Sequence, residues 1–281
     1  MNIQTIQLSQ SNTTNSKSNQ LNLKLPFLAD IKNYDVALSN AFIYYSWRNV
    51  TTAYGNRTFS YSWNGVTYPV TLPDGNYSVS DLNNYLQTIV MNANGHYLVD
   101  SNGNKVYYIS LTANPTYYAV TLTCTPIPSS LPSGYTNPAG ITLSGNTPLL
   151  IINNSAFGSL IGFSTGTYPA VTQTSIYQLN SNITAQISPV TSVNITCNMV
   201  NNSRFNSVSP QTIYTFSPQV SYTSQINIQP SVLQWYKCID QTYSYITVEL
   251  KDQNGNDLAL IDTNWVVTLL LRPKQIGINE Y

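Results

Sequence analysis

ITVELKDQNGNDLALIDTNWVVTLLLRP, from Ile246 to Pro273, reads as two apolar ribbons joined by a polar knot. In the first ribbon Ile246, Val248 and Leu250 fall on one face and Thr247, Glu249 and Lys251 on the other, the two-residue alternation of a half-buried strand. The knot Asp252-Gln253-Asn254-Gly255 supplies turn residues, because Asn and Gly tolerate positive φ. The second ribbon, Trp265 to Leu271, is apolar on both faces and suits a strand covered on two sides. A chain ending on such a strand fits a Greek-key sandwich, where the last strand can be a central member of its sheet.

The same signature recurs upstream. Leu21 to Leu25 alternates, Val36 to Trp47 reads as a long strand, and Arg57–Trp63 and Val66–Leu72 flank Asn64-Gly65, a hairpin signal. Further strands are expected over 106–111, 117–124, 193–200, 213–216 and 225–228. One helix stands out after Pro73-Asp74-Gly75. Ser78 or Ser80 caps a segment in which Val79, Leu82, Leu86, Ile89 and Val90 recur at helical spacing, and Asn94-Gly95 closes it. Residues 126–148, rich in Pro, Gly and Ser, predict a long surface loop. Residues 1–20 are polar with no sustained period and predict a flexible arm whose removal leaves a folded oligomer. The expected fold is all-β, a single jelly-roll sandwich over 21–281 with long loops and one short helix.

At 281 residues the chain exceeds one average domain of about 150, although all-β sandwiches reach roughly 200 to 250 as one. Only 8% of residues are Asp, Glu, Lys or Arg, with 11 of each sign, while Tyr alone numbers 22. Near-zero charge favours association, and the surface reads as one meant to sit against other subunits. AT-rich coding inflates Asn, Tyr and Ile in the same way, although scarce Lys runs against it. Nucleic-acid binding needs clustered Lys and Arg to displace counterions, and no basic run exists. Cys124, Cys197 and Cys238 form no CxxC pair and read as buried thiols in a reducing compartment. The first residues carry no signal-peptide pattern, and the apolar runs fall well short of the ~20 residues of a bilayer span.

Catalytic chemistry has little to draw on. His96 is the one histidine, placed after the helix terminus in an expected loop with no partner indicated, so its replacement by Ala is expected to leave folding and assembly intact. Asp252, Asp257 and Asp262 flank turns. DQNGND resembles the start of a calcium loop but lacks the glutamate and spacing that would close one. No zinc spacing and no phosphate-cradling Gly loop is present. The expected catalytic, cofactor-binding and metal residues are therefore none, with no cofactor. The pairs Tyr44-Tyr45, Tyr107-Tyr108 and Tyr117-Tyr118 are ordinary strand formers, sugar-stacking platforms or a subunit contact.

Three stretches carry a resemblance: the terminal ITVELKDQNGNDLAL with its following strand, LPDGNYSVSDLNNYL at Leu72–Leu86, and FGSLIGFSTGTYP at Phe157–Pro169. In this order they resemble the penton or minor capsid proteins of virophages and of related polinton-like or adintovirus-like DNA viruses. The resemblance covers most of the chain after Leu21. It implies a single jelly roll, a homopentamer at the five-fold vertices of an icosahedral virion, and contact with a major capsid protein of double jelly-roll type. It also implies an inserted subdomain, expected somewhere within 61–168. The alternative is a carbohydrate-binding β-sandwich whose exposed tyrosines take glycans. A cupin-type enzyme is disfavoured, since one histidine cannot supply a His-rich metal site.

Overall fold

In the computed structural model, residues 3–202 and 208–274 are described. The chain forms two compact units, Met1–Trp47 with Val190–Tyr281, and Arg48–Pro189. The first unit opens with β1 (Gln4–Ser9), β2 (Gln20–Ile31) and β3 (Tyr34–Tyr44). The second contains β4 (Thr58–Trp63), β5 (Val66–Thr71), α1 (Val79–Asn84) running on as a π-helical turn over Tyr85–Met91, β6 (Leu98–Val99), β7 (Lys105–Val106), β8 (Ile109–Asn114) and β9 (Ala119–Cys124). It ends with β10 (Leu149–Ile152), α2 (Ser155–Ile161), β11 (Gly166–Tyr168) and β12 (Tyr177–Asn180). The chain then rejoins the first unit in β13 (Val193–Cys197), β14 (Thr212–Phe216), β15 (Gln225–Ile228), β16 (Tyr236–Lys237), β17 (Gln241–Asp252) and β18 (Val266–Pro273).

The strand order of the first unit defines its fold. One sheet runs β1-β18-β3-β15, with β16 also on β3, and the other runs β14-β13-β17-β2. Setting β16 aside and counting only this unit's strands along the chain, the first sheet is first-eighth-third-sixth and the second fifth-fourth-seventh-second. Consecutive strands alternate between sheets at nearly every step, the order of an eight-stranded jelly roll built from two Greek keys. The final ribbon β18 lies between β1 and β3, with Val267, Leu269 and Leu271 buried in the core and Val266 and Leu270 half-buried on the other face. Leu38, Ile43 and Trp265 meet Ile195, Ile246 and Val248 in the same core cluster. Apolar alternation in both sheets thus feeds one interior, as it must for two half-buried layers.

The expectation of a flexible arm over 1–20 is corrected. β1 pairs with β18 from Gln4↔Leu271 to Ser9↔Val266, and Leu8 is fully buried. Downstream, buried Asn19 donates to Leu250 O at 2.8 Å, and Trp265 Nε1 donates to Ser18 O at 3.3 Å. Lys17 reaches Asp257 at 2.6 Å, and Asp257 also takes Lys251 at 2.9 Å. Burial raises the Asp257 pKa, but hydrogen bonds from Lys17 and Lys251 outweigh it and hold the carboxyl at about 2. The segment hides its strand because Ile6 and Leu8 are its only inward apolar residues and the outer positions are polar.

The second unit has its own core. Phe59 and Phe157 stack at 4.4 Å beside buried Leu82, Leu86, Leu111 and Leu122. The β4–β5 hairpin turns at Asn64 (φ 49) and Gly65 (φ 83), the primed turn that Asn-Gly predicts. Ser78 caps α1, accepting from Asp81 N while the Asp81 carboxylate takes the Ser78 N–H in return. A second helix, α2, was not expected. It is capped by Asn154, which accepts from the N–H groups of Ala156 and Phe157. A Cβ at Gly158 would stand 2.3 Å from Phe163 O, so FGSLIGF encodes a helix that its own continuation crosses at contact distance. Residues 125–148 form no strand apart from a bridge of Thr136 to Val99. The unit spans Arg48–Pro189, against the insert expected somewhere within 61–168.

Candidate assembly surface

β2 is an edge strand, and it is broken by its own sequence. Pairing with β17 runs Gln241↔Ile31 to Tyr243↔Ala29 and resumes only at Tyr245↔Lys24. Ser244 thus faces four residues, Leu25-Pro26-Phe27-Leu28, which leave the ladder as a wide bulge. Pro26 has no N–H to offer a neighbouring strand. Phe27 and Leu28 stand 74% and 70% exposed, two consecutive large apolar side chains in water. Isolated exposed apolar residues are ordinary, whereas Phe27 and Leu28 form a contiguous pair raised on a bulge. Thr14 N donates to Asn22 O at 3.0 Å and Asn15 Oδ1 accepts from Asn22 N at 3.2 Å, so the start of the edge is covered by the chain itself. A bulge, a proline and a Lys at position 24 disfavour open-ended strand addition.

His96 is placed differently from the expected partnerless loop. It is buried against Trp63 at 4.6 Å, and its Nδ1 lies 2.8 Å from the Tyr61 hydroxyl. Asn94 Nδ2 donates to that same hydroxyl at 3.1 Å, so the Tyr61 oxygen joins Asn94 and His96 in one buried hydrogen-bonded group. Burial lowers the His96 pKa to about 4 and raises that of Tyr61, so both stay neutral. Neither Ser nor Cys is hydrogen-bonded to the ring among the described residues. The ring packs among Trp63, Tyr61 and Tyr68, and the Tyr61 hydroxyl is bonded to both His96 and Asn94.

The three thiols are buried and free, and burial pushes each up to about 12, the range of an inert thiol. Among the described residues no three His, Cys, Asp or Glu side chains gather as a metal group. Asp252 is buried and turns its carboxylate onto its own loop, accepting from Asn254 N and Asn256 N at 2.8 Å each. DQNGND is therefore a turn. No described helix is long and apolar enough to cross a membrane.

The tyrosine pairs separate. Tyr45 packs on Trp47 at 4.4 Å and, like Tyr44, is half-buried; Tyr108 is buried with Tyr107 half-buried. Tyr117 and Tyr118, expected as the start of a strand, form a turn before β9 and are 71% and 79% exposed. Exposure of the Phe27 knob has a sequence signal, the proline that interrupts the alternation begun at Leu21–Leu25.

No family model and no curated protein matches the sequence. Among solved structures the chain is similar to the penton protein of mavirus, at 8% identity and a TM-score of 0.43, covering 97% of this chain and 99% of that one. It is also similar to a chain of the Sputnik virophage, at 11% identity and a TM-score of 0.37, covering 97% and 98%.

Proposed function

We propose that the chain is a structural virion protein of penton type, a homopentamer at the five-fold vertices of an icosahedral capsid that also contacts a major capsid protein of double jelly-roll type. The observation carrying this reading is the single jelly roll whose bulged edge strand raises Pro26-Phe27-Leu28 into water. A protein that worked alone would bury or polarise such a knob, whereas a closed ring joins two different complementary patches of each subunit head to tail and leaves neither of them open. The near-zero charge removes the repulsion between copies.

The reading assigns no catalysis and no cofactor. It also assigns no nucleic-acid packaging: Lys17, Lys32, Arg48, Arg57, Lys237, Lys251 and Arg272 already pair with carboxylates, leaving few cations for phosphates. Neutral, buried thiols suit assembly in a reducing compartment. The test is the native mass of purified protein over a range of concentrations. About five chains per particle supports the pentamer. A monomer at every concentration, both alone and mixed with major capsid trimers, overturns it.

A further inference from the structure

The β8–β9 hairpin joins Asn114 to Ala119, and two tyrosines stand at its tip. Tyr118 has φ +53, the left-handed region that a bulky side chain rarely occupies. A hairpin that needed only to be closed has a cheaper solution, and this same unit uses it at Asn64-Gly65. Here a disfavoured backbone at Tyr118 adjoins a second exposed aromatic side chain, Tyr117, and such outliers concentrate where a ligand is gripped.

Beside the rings lies an open groove of about 320 Å³, bounded on its other side by Ser181, Asn182, Ile183 and Thr184. That volume falls at the small end of the ~300 to 1,000 Å³ typical of ligand clefts. The far wall is fixed in advance. Ser181 N donates to Val120 O at 2.8 Å, and Ser181 Oγ accepts from Val120 N at 3.2 Å. Ile183 N donates to Gly162 O at 2.9 Å, and Asn182 Oδ1 accepts from Ser164 N at 3.0 Å. A ligand entering the groove orders little of the protein, so little binding energy is lost to that ordering.

None of the residues lining the groove carries a charge. Nucleotides and single-stranded nucleic acid stack on aromatic rings too, but they need cations along the phosphates, and an acidic sugar would leave its carboxylate unpaired. The rings offer apolar faces, and the hydroxyls of Tyr117, Tyr118 and Thr184 each donate and accept. A pyranose has the matching pattern, a C–H face ringed by hydroxyls. We infer that the Tyr117–Tyr118 hairpin tip and the Ser181–Thr184 wall form a binding subsite for an uncharged glycan. The site belongs to the second unit alone and does not rest on pentamer assembly, so the mass measurement and the binding measurement fail separately.

The experiment uses the full chain on an array of neutral and sialylated glycans, followed by ligand-observed NMR titration with the methyl glycosides of glucose, galactose, mannose and N-acetylglucosamine. Neutral glycans are expected to bind weakly, with affinity falling at least about tenfold, or ~1.4 kcal/mol, in Tyr117→Ala and in Tyr118→Ala. Tyr118→Gly is expected to lose binding equally while melting at or above the wild-type temperature, since glycine adopts this backbone freely. That combination separates a site from a folding role. No binding of any neutral glycan at millimolar concentration, binding that survives the double Tyr117→Ala/Tyr118→Ala variant, or a preference for sialylated glycans would each overturn the assignment.

Discussion

His96 lies face to face with Trp63, ring centroids 4.6 Å apart and planes 7° from parallel, while the Tyr61 hydroxyl is hydrogen-bonded to its Nδ1 at 2.8 Å. A charged imidazolium would bury a cation among apolar rings. The folded pKa, lowered by burial to about 4, lies below the unfolded value near 6.5, so between these limits the unfolded chain binds the proton first. Stability is therefore full above pH 6.5 and declines as pH falls toward 4, by on the order of 3 kcal/mol at the lower end. Urea denaturation of the wild type and of His96→Leu across this range checks it: the extra acid slope should vanish in the variant. At pH 7 His96→Ala should cost about 2 to 4 kcal/mol, reversing the silent outcome expected from sequence, because it opens a cavity and removes a buried hydrogen bond to Tyr61.

Leu8 stands opposite Val267 in the β1–β18 ladder and is fully buried. Leu8→Ala is expected to cost about 2 to 5 kcal/mol, the range of a buried leucine whose site collapses incompletely. Removing the first nineteen residues should do more than that. It uncovers the outer edge of β18, removes the Asn19 bond to Leu250 and frees Asp257 from Lys17. The expected outcome is a marginal, aggregation-prone protein, scored by denaturation midpoint and light scattering. A truncated chain with wild-type stability would mean that β1 pairs without contributing to stability.

Asp252 accepts three hydrogen bonds inside its own loop, from Asn254 N, Asn256 N and Asn256 Nδ2, the last at 3.0 Å. A carboxylate so occupied has little left for a cation. Millimolar calcium should leave the melting temperature unchanged. Asp252→Ala should lose about 1 to 3 kcal/mol by removing the three hydrogen bonds that close the loop, and Asp252→Asn should keep part of it. A calcium-dependent rise in melting temperature that disappears in Asp252→Ala would restore the cation reading.

Where the sequence repeats a period over many residues, it states its structure. Ile246 to Leu250 alternates because one face of β17 meets the core, and β18 is apolar on both faces because it lies mid-sheet, with a half-buried outer face. α1 was legible through its cap and its helical spacing. β1 was not, because a six-residue strand with two inward aliphatics is indistinguishable from polar coil until its partner is known. α2 was hidden for a related reason. Seven residues give too few turns to establish a period, and its two glycines read as breakers, although one is required by the crossing of Phe163 and the other by the left-handed cap at Gly162. The site residues were legible in part. The Tyr117-Tyr118 pair stands out in the sequence and Pro26 interrupts an alternating run, but the turn conformation of Tyr118 and the break in pairing that raises Phe27 are not written in composition or period.

The last prediction concerns the knob on β2. Phe27 and Leu28 make few contacts within their own chain, so Phe27→Ser/Leu28→Ser should leave the stability of the isolated subunit within about 0.5 kcal/mol of wild type. If the knob is the contact between subunits, the same pair of changes should dissociate the oligomer, because each apolar side chain buried at an interface contributes roughly 1.5 to 3 kcal/mol. Val232→Ser is the control, since Val232 is equally exposed at 74% but stands alone. It should change neither quantity. Pro26→Ala tests the other half of the reading. It returns an N–H to the bulged edge and removes the ring that blocks strand addition, so it should shift closed particles toward larger, polydisperse ones. Native mass spectrometry and light scattering read all three variants. Oligomers that survive the double serine change unaltered would place the subunit contact elsewhere on the jelly roll and leave the knob to another partner.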